Sequence, residues 1–160
     1  MSLDYLSISE LEKLLDRQLE WVRAAESRIQ LIVPLGSALF ASVAIKYSEL
    51  EKATNAVQGA AWFCLVFLAA SIAFCTVAMF PRTNGPAQSS IFFGGIAALS
   101  ADEYQQKLKS LSEEDYFADL VSQIHVNAQI SSQKYTWIGR SMAFLIISFA
   151  PWAFTVMNIY

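Results

Sequence analysis

Charge is scarce in this sequence. Only 16% of its 160 residues are Asp, Glu, Lys or Arg, against 55% that are hydrophobic, a balance too apolar for the surface of an ordinary soluble domain of this length. A lipid bilayer is the solvent that tolerates such a surface. Basic excess is missing too: the formal net charge is -3, so there is no cationic footprint for a phosphate backbone, and nucleic acid is excluded as a partner class. Histidine occurs once, as His125, and cysteine twice, as Cys64 and Cys75. No cluster of them has metal-ligand spacing, and no metal is expected. The two cysteines lie eleven residues apart in one apolar run, about three helical turns, so they cannot pair with each other there; buried thiols of this kind serve as small packing residues. Catalytic residues are not expected either, because no nucleophile sits with a base in a telling pattern. Gly94-Gly95 lacks the further glycines and the lysine of a phosphate loop, and suits a hinge or a close backbone contact instead. Glu113-Glu114-Asp115 fits the acidic first turn that the helix macrodipole favours. The chain is thus expected to be no enzyme and to hold no resident cofactor. Its N-terminus, Met1-Ser2-Leu3-Asp4-Tyr5, is acidic and runs into charged helix, so a cleaved signal peptide is not expected.

What the sequence does have is long apolar runs. Leu11, Leu14, Leu15, Trp21, Val22, Ala25 and Ile29 recur at helical spacing among Glu12, Lys13, Asp16, Arg17, Glu20 and Arg23, which predicts an amphipathic helix over residues 6–28 that continues into a first span at 29–46. Pro34, Gly36, Ser37 and Ser42 in that span allow bending and close helix approach, and point to helix contacts in a homo-oligomer. A polar hairpin follows. The second span, 57–80, contains no charge and stops at Pro81-Arg82-Thr83-Asn84-Gly85-Pro86. Ile91–Ile96 is too brief to cross a membrane, which takes about twenty residues. Ser100 with Glu103, and Ser112 with Asp115, are helix-start signals. The second of these opens a helix with no breaker before a third span at 137–158. Trp137, Trp152 and Tyr160 stand where interfacial aromatics are expected. The expected architecture is an all-α membrane protein forming a single membrane domain over 1–160, with three transmembrane helices and a cytoplasmic helical module built from residues 6–28 and 82–136.

Lysine and arginine set the orientation. Lys13, Arg17, Arg23 and Arg28 precede the first span, and Arg82, Lys107, Lys109 and Lys134 separate the second from the third, whereas the hairpin carries only Lys46 and Lys52. The positive-inside bias then places the N-terminus and residues 82–136 in the cytoplasm. Arg140, about one turn inside the third span, fits either an intramembrane functional charge or a side chain snorkelling to headgroups.

The richest polar stretch is Gln123 to Tyr135, QIHVNAQISSQKY. Gln123, Asn127, Ile130 and Lys134 are spaced by four, three and four residues and share one helical stripe. Two amides and an amine beside Tyr135, with Arg28 contributed by the N-terminal helix, suit a small ligand that has a phosphate and a base. The same residues also fit a solvated face or amide contacts between helices. His125 lies off the stripe.

Three segments resemble the transmembrane effectors of Pycsar, the bacterial anti-phage system that signals with cyclic pyrimidine nucleotides. They are WVRAAESRIQLIVPL from Trp21, IFFGGIAAL from Ile91 followed by Glu103-Tyr104, and QIHVNAQISSQKY from Gln123. The family's acidic-polar-basic element at the first span, often aspartate-any-lysine, reads here as Glu26-Ser27-Arg28. The resemblance implies an effector in the bacterial inner membrane that binds cyclic UMP or cyclic CMP from a cognate cyclase as its activating ligand. It would then impair membrane integrity as an oligomer, arresting or killing the infected cell. Arg28, Gln123, Asn127 and Lys134 are the expected ligand residues. A small oligomeric channel or scaffold subunit that no nucleotide gates is the alternative.

Overall fold

The computed structural model describes residues 6–81, 85–86 and 88–159. Helices α1 (Ile8–Ala44), α2 (Tyr47–Leu50), α3 (Asn55–Met79), α4 (Phe93–Ala97), α5 (Ala101–Ser110) and α6 (Glu113–Ile159) account for its regular structure, with no strand among the described residues. Helices α1, α3 and α6 are each long and apolar enough to cross a bilayer. The chain is an all-α membrane protein with three transmembrane helices. The acidic N-terminal residues 1–5, residues 82–84 of the proline-bounded stop, and Tyr160 lie outside the described residues.

Side-chain chemistry explains where the helices begin and end. Ser7 and Glu10 form a reciprocal box at the start of α1: the Ser7 amide donates to Glu10 Oε2 at 2.7 Å, and the Glu10 amide donates to Ser7 Oγ at 3.3 Å. Ser100 and Glu103 repeat it at α5 with the same two distances. At α6 the Asp115 amide donates to Ser112 Oγ at 3.1 Å. Helix α3 ends because Phe80 precedes Pro81 and takes an extended ψ of 126°, as steric conflict with a following proline ring requires.

The chain divides into two compact units. A helical module comprises the described residues of Met1–Arg23 and Pro81–Ser132, and a membrane bundle comprises those of Ala24–Phe80 and Gln133–Tyr160. Arg28 and Lys134 therefore fall with the spans.

The bundle is built on a seven-residue repeat. Helix α1 buries Ala25, Ile29, Ile32, Gly36, Leu39 and Val43, alternately four and three residues apart. In α3 the same rhythm runs through Val57, Ala61, Cys64, Leu68, Ser71, Cys75 and Ala78, and in α6 through Lys134, Ile138, Ser141, Leu145 and Ser148. An ideal α-helix drifts about 20° per heptad against such a repeat, so the pattern specifies left-handed packing. Many seam residues are small or hydroxylated, while Leu31, Trp62, Ile146 and Met157 are exposed on the outside. Lipid imposes this distribution: apolar surface gains nothing by hiding from hydrocarbon, whereas close backbone approach and interhelical hydrogen bonds do hold spans together. Ser71 Oγ donates to the Ser141 carbonyl at 2.9 Å, and Ser141 Oγ donates back to the Ser71 carbonyl at 2.8 Å, with Cys75 Sγ 3.1 Å from Ser141 Oγ. Trp152 Nε1 donates to Ser42 Oγ at 2.9 Å. A side chain on Gly36 would press on Ile72 at 3.4 Å. Gly36 and Ser42 thus serve contacts within the chain, while Pro34 and Ser37 remain exposed on α1. Cys64 and Cys75 are free thiols in the seam.

Candidate functional site

In the helical module, the segment from Gln88 to Phe92 has little secondary structure and depends on side chains for its hydrogen bonds. Asp119 of α6 accepts from both the amide and the hydroxyl of Ser90, at 2.7 Å each. Ser89 Oγ accepts from the Phe92 amide at 2.9 Å, the Ile91 amide at 3.2 Å and Gln123 Nε2 at 3.1 Å. From α5, the Tyr104 hydroxyl donates to the Ser90 carbonyl at 2.9 Å and Lys107 Nζ donates to the Gln88 carbonyl at 2.6 Å. Ser89, Ser90 and Gln123 are buried, so the bonds made by these three meet polar groups that would otherwise be costly to remove from water. Across the module, the Tyr116 hydroxyl donates to Glu12 Oε1 at 2.9 Å. Burial first, and then the Glu12 carboxylate, push the Tyr116 phenol above its usual range.

This anchoring frames a cavity of about 320 Å³ lined by Leu15 and Leu19 of α1, by Ile91, Phe92 and Phe93, and by Gln123, Val126, Asn127 and Ile130 of α6. Two glycines lie close against Phe92. A side chain on Gly85 would come within 2.7 Å of its ring, and one on Gly94 within 2.6 Å, so both positions need the missing Cβ for space rather than for an unusual backbone angle. Gly94 makes the close backbone contact expected of the glycine pair. The Phe92 and Phe93 ring centroids are 4.7 Å apart.

Gln123, Asn127 and Ile130 of the expected stripe therefore line one cavity. Gln123 spends its amide nitrogen on Ser89, and Asn127 Nδ2 donates to the Gln123 carbonyl at 2.9 Å. Each of these bonds uses one of the two N–H groups on its nitrogen, so the amides keep a donor and a carbonyl oxygen apiece for a ligand. No lysine or arginine is among the lining residues. The cavity accordingly offers two side-chain amides, two aromatic rings and an aliphatic wall, which suit a flat heterocycle with polar edges better than a phosphate.

The two expected cations belong to the membrane bundle. Lys134 is buried there and pairs with Glu26 Oε1 at 2.8 Å, a partner that the acidic-polar-basic element supplies. The Arg28 guanidinium lies 5.1 Å from the centre of the Tyr135 ring. His125 is exposed, with Nε2 3.0 Å from Gln129 Nε2. Among the described residues, no three His, Cys, Asp or Glu side chains converge as a metal site would require.

Ser89, Ser90 and Asp119 escape a reading of the sequence alone, because the partners are 29 to 34 residues apart and serine carries no periodic signal. Glu26 was legible as part of a motif, though not as the partner of Lys134.

Residues 10–159 match the family described as PycTM, the Pycsar effector protein domain. A Pycsar effector protein, PtPycTM, of Propioniciclava tarda is 23% identical over 153 residues, which cover 88% of this chain and 74% of the relative. No solved structure matches.

Proposed function

The chain belongs to the Pycsar effector family and so to an anti-phage defence system, and we propose that it senses a cyclic pyrimidine nucleotide and then impairs the inner membrane. The observation that carries this is the cavity of the helical module, with Gln123 and Asn127 beside Phe92 and Phe93. Uracil and cytosine are flat rings whose edges carry both N–H donors and carbonyl acceptors, which match stacking surfaces and side-chain amides. The activating ligand is cyclic UMP or cyclic CMP made by a cognate cyclase. The protein acts as a homo-oligomer, since three helices enclose little space for a lesion, and no chemical step is catalysed. The N-terminus and the helical module face the cytoplasm, as the lysine and arginine distribution favours, which puts the cavity where a cyclase product would reach it. Helix α6 carries both Asn127 and the third span without a break. A ligand that prefers one position of α6 biases the span directly, which is the differential binding that any ligand-driven switch requires.

Calorimetry of the purified protein with cyclic UMP, cyclic CMP and cyclic AMP tests the reading. A pyrimidine nucleotide should bind more tightly than cyclic AMP. Loss of one hydrogen bond to a base costs on the order of 1–3 kcal/mol, so Asn127→Ala should weaken binding roughly five- to a hundredfold. Equal affinity of the variant for the pyrimidine nucleotides, or no binding by the intact protein, contradicts the assignment.

A further inference from the structure

The membrane bundle carries a groove that nucleotide sensing does not use. It runs along α1 and α6 and has a volume of about 720 Å³. Its walls are apolar, with Leu31 and Leu35 on α1 and Met142, Ile146 and Phe149 on α6. Gly139 also lines it, and a side chain built there would meet nothing within 4 Å. The first lining residues of the two helices are Arg28 and Tyr135, which are stacked at 5.1 Å, so a fixed cation marks one end.

We propose that this groove seats an acyl chain of an anionic phospholipid, with Arg28 at the phosphate. Length supports that occupant. From Tyr135 to Phe149 the groove follows α6 for about 21 Å at 1.5 Å per residue, enough to pass through one leaflet, about 15 Å of a 30 Å hydrocarbon core. Charge supports it as well. The end of the bundle that carries Arg28 also carries Lys134 and Arg140 against the one carboxylate of Glu26, which Lys134 already engages. At the other end Lys46 and Lys52 are balanced by Glu49 and Glu51. Arg28 is the one charged residue among those lining the groove, and a cation at the end of an apolar trough is the complement of an anionic headgroup above a hydrocarbon tail. A span of a second copy is a poorer occupant, because the one carboxylate that its bundle carries near that level, Glu26, is already paired with Lys134. Guanidinium geometry favours phosphate, which it can meet with two parallel hydrogen bonds.

The test uses the full chain in neutral detergent with equal amounts of palmitoyl-oleoyl phosphatidylglycerol and phosphatidylcholine, and native mass spectrometry to count the lipids retained. The intact protein should retain phosphatidylglycerol in preference. Gly139→Leu, which fills the groove, should cut retention about tenfold at unchanged subunit number and thermal midpoint. Arg28→Gln should keep total lipid while lowering the preference for phosphatidylglycerol roughly five- to tenfold, and it decides the matter alone if Gly139→Leu does not fold. Equal retention of both lipids by the intact protein overturns the proposal. So does retention that neither substitution changes. A Gly139→Leu protein that loses subunits but keeps its lipid would assign the groove to a second copy. Nucleotide binding has no part in this readout, so the two readings fail separately.

Discussion

Single carboxylates give the helix starts of the module a defined pH dependence. The Ser7 amide and hydroxyl hold Glu10 below the usual carboxylate range, and the Ser100 hydroxyl and amide do the same for Glu103. Each folded pKa lies below its unfolded value, so the contribution of the box is present above the ordinary range near 4.5. It is lost as pH falls through the lowered value. Hydrogen exchange at the Ser7 and Ser100 amides, corrected for intrinsic rates, should therefore accelerate on passing from neutral pH to about pH 3. Glu103→Gln should flatten the response at Ser100 alone. If that variant keeps the full pH response there, the carboxylate is not its source. Ser100-x-x-Glu103 was legible because a cap is a local motif. The bonds of Asp119 to Ser90 and of Gln123 to Ser89 were not, since only the fold brings those residues together.

At the scale of elements, glycine and period do the positioning. Phe92 lines the cavity and is confined by Gly85 and Gly94, so a methyl group at residue 94 must displace the ring. Because Phe92 lines the cavity, Gly94→Ala should alter the cavity wall and reduce cyclic-nucleotide affinity about tenfold while the spans insert normally. Tryptophan fluorescence and calorimetry on the purified variant check the two halves of that statement, and unaltered affinity would show that the cavity does not read the base. The sequence carried the long elements well: apolar period and proline or glycine punctuation announced α1, α3 and α6, and both caps before α5 and α6. Which residues form the seam was less accessible. In a membrane helix both faces are apolar, so the heptad of Ala61, Cys64, Leu68, Ser71 and Cys75 is visible only when the outside is known to be lipid.

For the whole molecule, the division into a helical module and a membrane bundle separates what the stripe of Gln123, Asn127, Ile130 and Lys134 had joined. The first three line the module's cavity, and Lys134 pairs with Glu26 inside the bundle. Helical spacing placed all four on one face of α6 but could not tell where that face passes from one unit to the other. Asn127 and the third span lie on the same helix, α6. The measurement that tests this account most directly is dye release from liposomes holding the purified protein, with the nucleotide supplied to the module side. Cyclic UMP or cyclic CMP should trigger release, cyclic AMP should not, and Asn127→Ala should shift the dose for half-release upward by the factor measured for its binding. Release of the same size with no nucleotide, or none at saturating cyclic UMP and cyclic CMP, would contradict it.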